Sequence, residues 1–207
     1  MKIIIKSTPE ELKRAQHWWD GLEAQWKMVY NEALFGKGPT LEPPKDDELI
    51  LMLVRVNTIR LAGPFAFNPN TTIKLTNLSG LVPLYHLNFI SISNMHIESL
   101  EELKNHVNLE HLYVYENRLQ SLKGIENLRN LKNLYCHSNE ITSLEPVKNL
   151  TQLEVLYVNF NKLTKFDGLT EAHADHIRQF YGLPNDGIRD KEILRLQNEI
   201  GIICRKA

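Results

Sequence analysis

Cysteine is scarce: two residues, Cys136 and Cys204, stand in a chain of 207. They lie far apart and without metal-site spacing, so neither a disulfide scaffold nor a zinc site is expected, and a reducing compartment suits both thiols. An excess of one charge is lacking too. Lys and Arg number 24 against 25 Asp and Glu, for a formal net charge of -1. Such a balance offers no broad positive field to a phosphate backbone or an anionic membrane, so neither is expected as a partner. Long apolar runs are missing: the opening Met1-Lys2-Ile3-Ile4-Ile5-Lys6 is too short for a secretory core or a bilayer span, and a cytoplasmic location is expected. No glycine-rich phosphate loop occurs, and no cofactor is expected.

What the chain does have is self-similarity. Leu109-x-x-Leu112-x-Val114-x-x-Asn117-x-Leu119 recurs as Leu131-x-x-Leu134-x-Cys136-x-x-Asn139-x-Ile141 and as Leu153-x-x-Leu156-x-Val158-x-x-Asn161-x-Leu163, with a period of 22 residues. One period earlier, Leu87-x-x-Ile90-x-Ile92-x-x-Met95-x-Ile97 keeps every apolar position but replaces the asparagine with methionine. Val56-x-x-Ile59-x-Leu61 has the strand part alone, and the next strand comes 31 residues later. An insertion is therefore expected near residues 63–72, where Gly63-Pro64-Phe65-Ala66-Phe67-Asn68-Pro69-Asn70 carries loop punctuation.

Periodicity changes inside each repeat. Leu112-x-Val114 alternates as a strand does, whereas Leu122, Ile125, Leu128 and Leu131 are spaced by three, as are Leu144, Val147, Leu150 and Leu153 and, with one polar exception, Leu100, Leu103, His106 and Leu109. Spacing by three suits a 3₁₀ turn. Each coil then has a strand on one side and a tight turn on the other, and its apolar stripe is buried only when coils stack and the ends are capped. Asn117, Asn139 and Asn161 leave the strand at a point where a side-chain amide can satisfy backbone groups of adjacent coils, so their expected role is structural.

These motifs resemble the leucine-rich repeat family, in its 22-residue internalin-like class, over about half the chain. The resemblance implies an α/β fold: a right-handed solenoid with a parallel sheet on the concave face, 3₁₀ turns on the convex side and helical caps. It implies no single function.

Thr8-Pro9-Glu10-Glu11 supplies an N-cap, a proline and a capping-box glutamate for a helix running to about Phe35, kinked or split at Gly21. Its stripe of Leu12, Ala15, Trp19, Leu22, Trp26, Val29 and Ala33 is read as sealing the first coil rather than as an exposed docking helix. A second short helix is expected from Asp46 to about Leu53. The Trp18-Trp19 and Gln25-Trp26 segments resemble N-terminal extensions of bacterial repeat proteins, which implies a bacterial origin. Residues 1–55 are thus an expected helical cap, 56–169 the repeats in about five coils, and 170–207 a second helical cap. The latter should hold helices at 170–181 and 189–200, because the 22-residue register fails after Leu169.

Alternation along the strands sends Arg60, Ser91, Tyr113, Tyr135 and Tyr157 outward in one column, with Ala62, Ser93, Tyr115, His137 and Asn159 on one side and Thr58, Phe89, His111, Asn133 and Val155 on the other. Phe160 is placed at the rim. This face is nearly free of charge and rich in tyrosine and histidine, the composition of interface hot spots. Plain stacking for stability is the competing explanation. The ligand-binding set is Arg60, Phe89, Ser91, His111, Tyr113, Tyr115, Tyr135, His137, Tyr157, Asn159 and Phe160, and the expected function is recognition of a protein or peptide by a monomer that is not an enzyme. A self-assembling scaffold, joined through the tryptophan helix or the Phe65–Asn70 loop, is the alternative. A metal-dependent hydrolase using His173 and His176 is third, since His-x-x-His on a helix can offer two ligands. Cys136 falls on a core position and is read as a structural thiol.

Overall fold

The computed structural model describes residues 8–206; the apolar run at residues 1–6, Ser7 and Ala207 lie outside the described residues. Helix α1 (Pro9–Gly21) opens on a capping box. Thr8 Oγ1 accepts from the Glu11 amide at 3.2 Å, and the Glu11 carboxylate accepts from the Thr8 amide at 2.8 Å. The chain breaks at Gly21 and restarts as α2 (Ala24–Ala33), then α3 (Asp46–Val54) leads into the sheet.

Seven parallel strands follow in sequence order as a single open sheet: β1 (Thr58–Ala62), β2 (Phe89–Ser93), β3 (His111–Tyr113), β4 (Asn133–Tyr135), β5 (Val155–Tyr157), β6 (Gln179–Leu183) and β7 (Cys204–Lys206). From β2 to β5 the register joins like positions of successive repeats, Ile90 to Leu112 to Leu134 to Leu156. Short 3₁₀ turns at Ser79–Leu81, Glu101–Leu103 and Glu145–Val147 occupy the opposite side of their coils. The leucines spaced by three on these turns are fully buried, as are the strand positions facing them, so one apolar column runs the length of the stack.

Asparagine ties the coils where strands end. Asn139 Oδ1 accepts from the Leu119 amide at 3.0 Å, while its Nδ2 donates to Val114 O at 2.9 Å and Cys136 O at 3.1 Å. Asn117 and Asn161 repeat the pattern with Ile97 and Ile141 as the amides received. The residue before each asparagine, and Asn94 before the equivalent Met95, is left-handed: Asn94, Glu116, Ser138 and Phe160 have φ of 57, 55, 56 and 53°.

The tryptophan helix caps the first coil. Trp26 and Tyr30 are fully buried and Trp19 nearly so. Trp26 Nε1 donates to Asn77 Oδ1 at 3.1 Å, and the Tyr30 hydroxyl donates to Gly80 O at 3.1 Å. Gly80 lies directly under the indole, where any Cβ would collide with the ring. Burial of Trp19 and Trp26 removes them from the alternative in which this helix joins two molecules.

Two expectations about the C-terminal segment are corrected. In place of a helix over 170–181 the chain forms one turn, α4 (Glu171–Ala174), and then strand β6, while the second helix is α5 (Asp190–Arg195) continued by a π turn at Leu196–Ile200. The repeat does not stop at Leu169; it lengthens to 24 residues, from Leu156 to Phe180 and from Asn161 to Asn185. Asn185 carries the ladder onward, accepting from the Asn161 amide at 3.0 Å and donating to Val158 O at 2.9 Å. Gly182 takes the second core position because Phe166, Phe180 and Cys204 fill the space a side chain would need.

The tyrosine face of the sheet

Parallel in-register strands place like residues side by side, and the outward column becomes a continuous stack. Ring centroids are 4.5 Å apart for Tyr113–Tyr135, 4.4 Å for Tyr135–Tyr157 and 4.3 Å for Tyr157–Tyr181, with interplanar angles of 13, 15 and 21°. Phe89 leans on Tyr113 at 5.2 Å. In the neighbouring column Tyr115 stacks on His137 at 4.7 Å and 7°. The half-buried rings cover one another's faces, so solvent meets ring edges and hydroxyl groups. Burial and then the adjacent phenols hold the Tyr135 hydroxyl above its ordinary pKa, and burial and the phenol of Tyr181 do the same for Tyr157.

The remaining positions divide. Arg60 is exposed and donates from Nη2 to Asn68 O of the inserted loop at 3.0 Å. His111 Nδ1 accepts from Asn133 Nδ2 at 2.9 Å. Burial lowers the pKa of His137, whose Nδ1 has no hydrogen-bond partner. Two members of the expected set do not reach solvent. Ser91 is 8% exposed, too short to extend past the Phe89 and Tyr113 rings, and Asn159 is 3% exposed. Asn159 is covered because β6, unforeseen in the sequence, lies beside it: its amide donates to Tyr181 O at 3.1 Å, and the next amide, of Phe160, donates to Pro184 O at 2.6 Å. The same strand supplies what sequence reasoning missed, Tyr181 as a fourth rung and Gln179, whose Oε1 accepts from the Tyr157 hydroxyl at 3.4 Å.

Phe160 stays at the rim, 54% exposed at a φ of 53°. A bulky L-residue is strained in the left-handed region, which asparagine enters at lower cost. Phe160→Asn is therefore expected to raise stability by about 0.5–1 kcal/mol, read as a higher urea midpoint with an unchanged slope; a lower midpoint would show that the ring contributes to the fold.

The histidine pair suggested as metal ligands is not a site. His173 is fully buried, accepting at Nδ1 from the Thr170 amide and donating from Nε2 to Val147 O, each at 3.1 Å, whereas His176 is exposed. His106 makes the equivalent bond to Leu81 O at 3.1 Å, so both imidazoles serve to satisfy carbonyls of the neighbouring turn. Among the described residues no group of three or more His, Cys, Asp or Glu could hold a metal ion, and no helix is long and apolar enough to cross a membrane. Burial raises the Cys136 thiol far above its ordinary range and pushes Cys204 up to about 11, which leaves neither as a ready thiolate. A groove of about 790 Å³ lies against α5, lined by residues such as Lys165, Arg189, Glu192 and Arg195 and by none of the tyrosine face.

A family model described as Leucine Rich repeats (2 copies) matches residues 107–149 and 129–171. Residues 107–171 are leucine-rich repeats. In fold they are internalin-like. An internalin of Listeria monocytogenes matches 65% of this chain and 39% of its own, at 24% identity and a TM-score of 0.56. A leucine-rich repeat protein of Leptospira interrogans matches 94% of this chain and 45% of its own, at 19% identity and a TM-score of 0.56. Both are likenesses of fold, and the chain spans less than half the length of either structure. No protein of curated function matches the sequence. Leucine-rich repeats support a protein-interaction module in general.

Proposed function

We propose that this leucine-rich repeat protein recognises a protein or peptide on the concave, tyrosine-bearing face of its sheet, acting without catalysis. The observation that carries the reading is the stack of Tyr113, Tyr135, Tyr157 and Tyr181, in which each ring remains partly exposed among the described residues. Tyrosine offers large rigid area with a polar tip, and it loses little rotamer freedom when a partner arrives, since its neighbours already hold it. His111, Tyr115 and His137 border the stack and would give polar selectivity. Phe160 adds an exposed aromatic at the rim, in the left-handed conformation that Asn94, Glu116 and Ser138 also adopt. A cytoplasmic setting and a monomeric state complete the proposal.

The test is replacement of Tyr113, Tyr135 and Tyr157 together by alanine, beside a second variant carrying phenylalanine at all three. The alanine variant is expected to lose at least about tenfold in affinity, in line with several interface anchors removed, for partners recovered from the native host. The phenylalanine variant keeps the stack and reports the share of the hydroxyl groups. Unchanged affinity in the alanine variant, with far-ultraviolet circular dichroism also unchanged, would move the site elsewhere.

A specific observation also favours self-association through the inserted loop: Phe65 and Phe67 are 77% and 98% exposed. Light scattering of the wild type against a Phe65→Ser, Phe67→Ser variant decides it, a fall in mass being the supporting result.

A further inference from the structure

The tyrosine face is sorted by charge. Over its outward columns, Thr58 to Gln179, Arg60 to Arg205 and Ala62 to Leu183, no aspartate or glutamate occurs, although the chain holds 25. The formal charges are cationic and stand at the two ends of the central column. Arg60 is on β1, and Arg205 on β7 is paired in register with Tyr181 and close enough to act on the Tyr157 phenol. Lys206 is exposed beside Arg205.

The carboxylates nearest this face are engaged. On the rim before the strands, Glu110 pairs with Lys132 at 2.6 Å and Glu154 with Arg178 at 4.0 Å. On the rim after them, Glu116 accepts from Asn94 Nδ2 at 3.0 Å. Between the arginines the stacked rings turn their edges outward, and the edge of an aromatic ring carries the positive part of its quadrupole. The Tyr135 and Tyr157 hydroxyls, held above their ordinary pKa, stay protonated through the neutral range, with Tyr157 donating to Gln179 Oε1 at 3.4 Å. Cations at both ends and donors between them make a surface that seeks acceptors along its whole length.

We infer that the partner of this face is an acidic, extended peptide segment of another protein, lying across the strands with carboxylates near both ends, at Arg60 and at Arg205, and its acceptors over the tyrosine edges. This rests on the concave-face reading above. Its length follows from geometry. Six strand intervals of about 4.8 Å separate β1 from β7, about 29 Å, and an extended chain covers about 3.3–3.6 Å per residue, so about eight or nine residues reach from one arginine to the other. A helical segment would need about twice that number for the same span, at about 1.5 Å per residue.

The probe is a phage-displayed library of random nine-residue peptides, selected on the immobilised full chain, on an Arg60→Ala, Arg205→Ala variant and on the triple tyrosine-to-alanine variant. Enriched peptides are then synthesised with a fluorescent label and titrated by anisotropy at low and high salt. The wild type is expected to enrich peptides with Asp or Glu toward both ends. Their affinity should fall on the order of tenfold in the arginine variant and again on raising the salt, as screened charge pairs require. Enrichment without acidic bias, abolished in the tyrosine variant, overturns the acidic partner and leaves the binding face standing. Enrichment that survives in both variants overturns the two together. Failure to enrich any peptide from the wild type also counts against the proposal, because the segment inferred is short enough for the library to contain its like.

Discussion

Trp26→Ala is expected to lower stability by about 3–5 kcal/mol, the range for truncating a fully buried large aromatic. The indole is fully buried on the first coil, lying over Gly80, tilted against the Tyr30 ring at 5.1 Å and 46° and hydrogen-bonded to Asn77. Its loss removes packing from the turn holding Leu78, Leu81 and Leu84, at the start of the leucine column. A repeat array depends on such ends, since an uncapped terminal coil faces water with the surface that inner coils bury against each other. Urea unfolding of the full chain gives the value, and a Trp26→Phe variant separates size from the indole hydrogen bond. A loss below about 1 kcal/mol for the alanine variant, the scale of an ordinary surface substitution, would mean that α2 is not a cap.

Asn139→Ala is expected to cost about 1–3 kcal/mol, the range for one buried group left unpaired, without changing any apolar contact of the leucine column. One side chain there satisfies the Leu119 amide and the carbonyls of Val114 and Cys136, and the site is buried at 9% exposure. Alanine leaves the buried Leu119 amide without a partner, at about 1–3 kcal/mol, whereas the Val114 and Cys136 carbonyls keep the bonds they accept from Asn117 and Asn161. Asn139→Asp supplies a sharper check. It keeps the acceptor for Leu119 but replaces the donor with an oxygen facing two carbonyls, so it should unfold at least as readily as alanine and worsen as the new carboxyl ionises. Stability equal to wild type in either variant would remove the asparagines from the account of how coils are joined. The second coil shows how the array ends: Met95, buried at 3% exposure, occupies this position without a side-chain amide.

How much of the candidate site could be read beforehand follows from the same regularity. Strict 22-residue spacing puts Tyr113, Tyr135 and Tyr157 on one column because successive strands are parallel and in register, and the stacking distances follow from strand separation. Tyr181 was missed for a definite reason. Two extra residues precede β6, so a fixed period lands on Arg178, and the core position that should hold an aliphatic residue is Gly182. Measuring back from asparagine instead would have found it: Phe180 lies five residues before Asn185, as Leu156 does before Asn161. Between the two helices expected there, Gly182-Leu183-Pro184-Asn185-Asp186-Gly187 reads as a turn because glycine, proline and asparagine punctuate loops, a rule that carries no knowledge of the ladder.

Sequence by itself determined the repeat, the direction each strand residue faces, the insertion, the capping box and the aromatic column, because each of these follows from local spacing and backbone chirality. Tertiary structure alone decided what lies over those residues. It buried Ser91 and Asn159, turned His173 inward to a carbonyl of the adjacent coil, and brought Arg205 to the end of the tyrosine stack. Alternation fixes the side of the sheet a residue is on, but exposure is set by whichever groups pack beside it, and for Asn159 these came from a coil two residues longer than its predecessors.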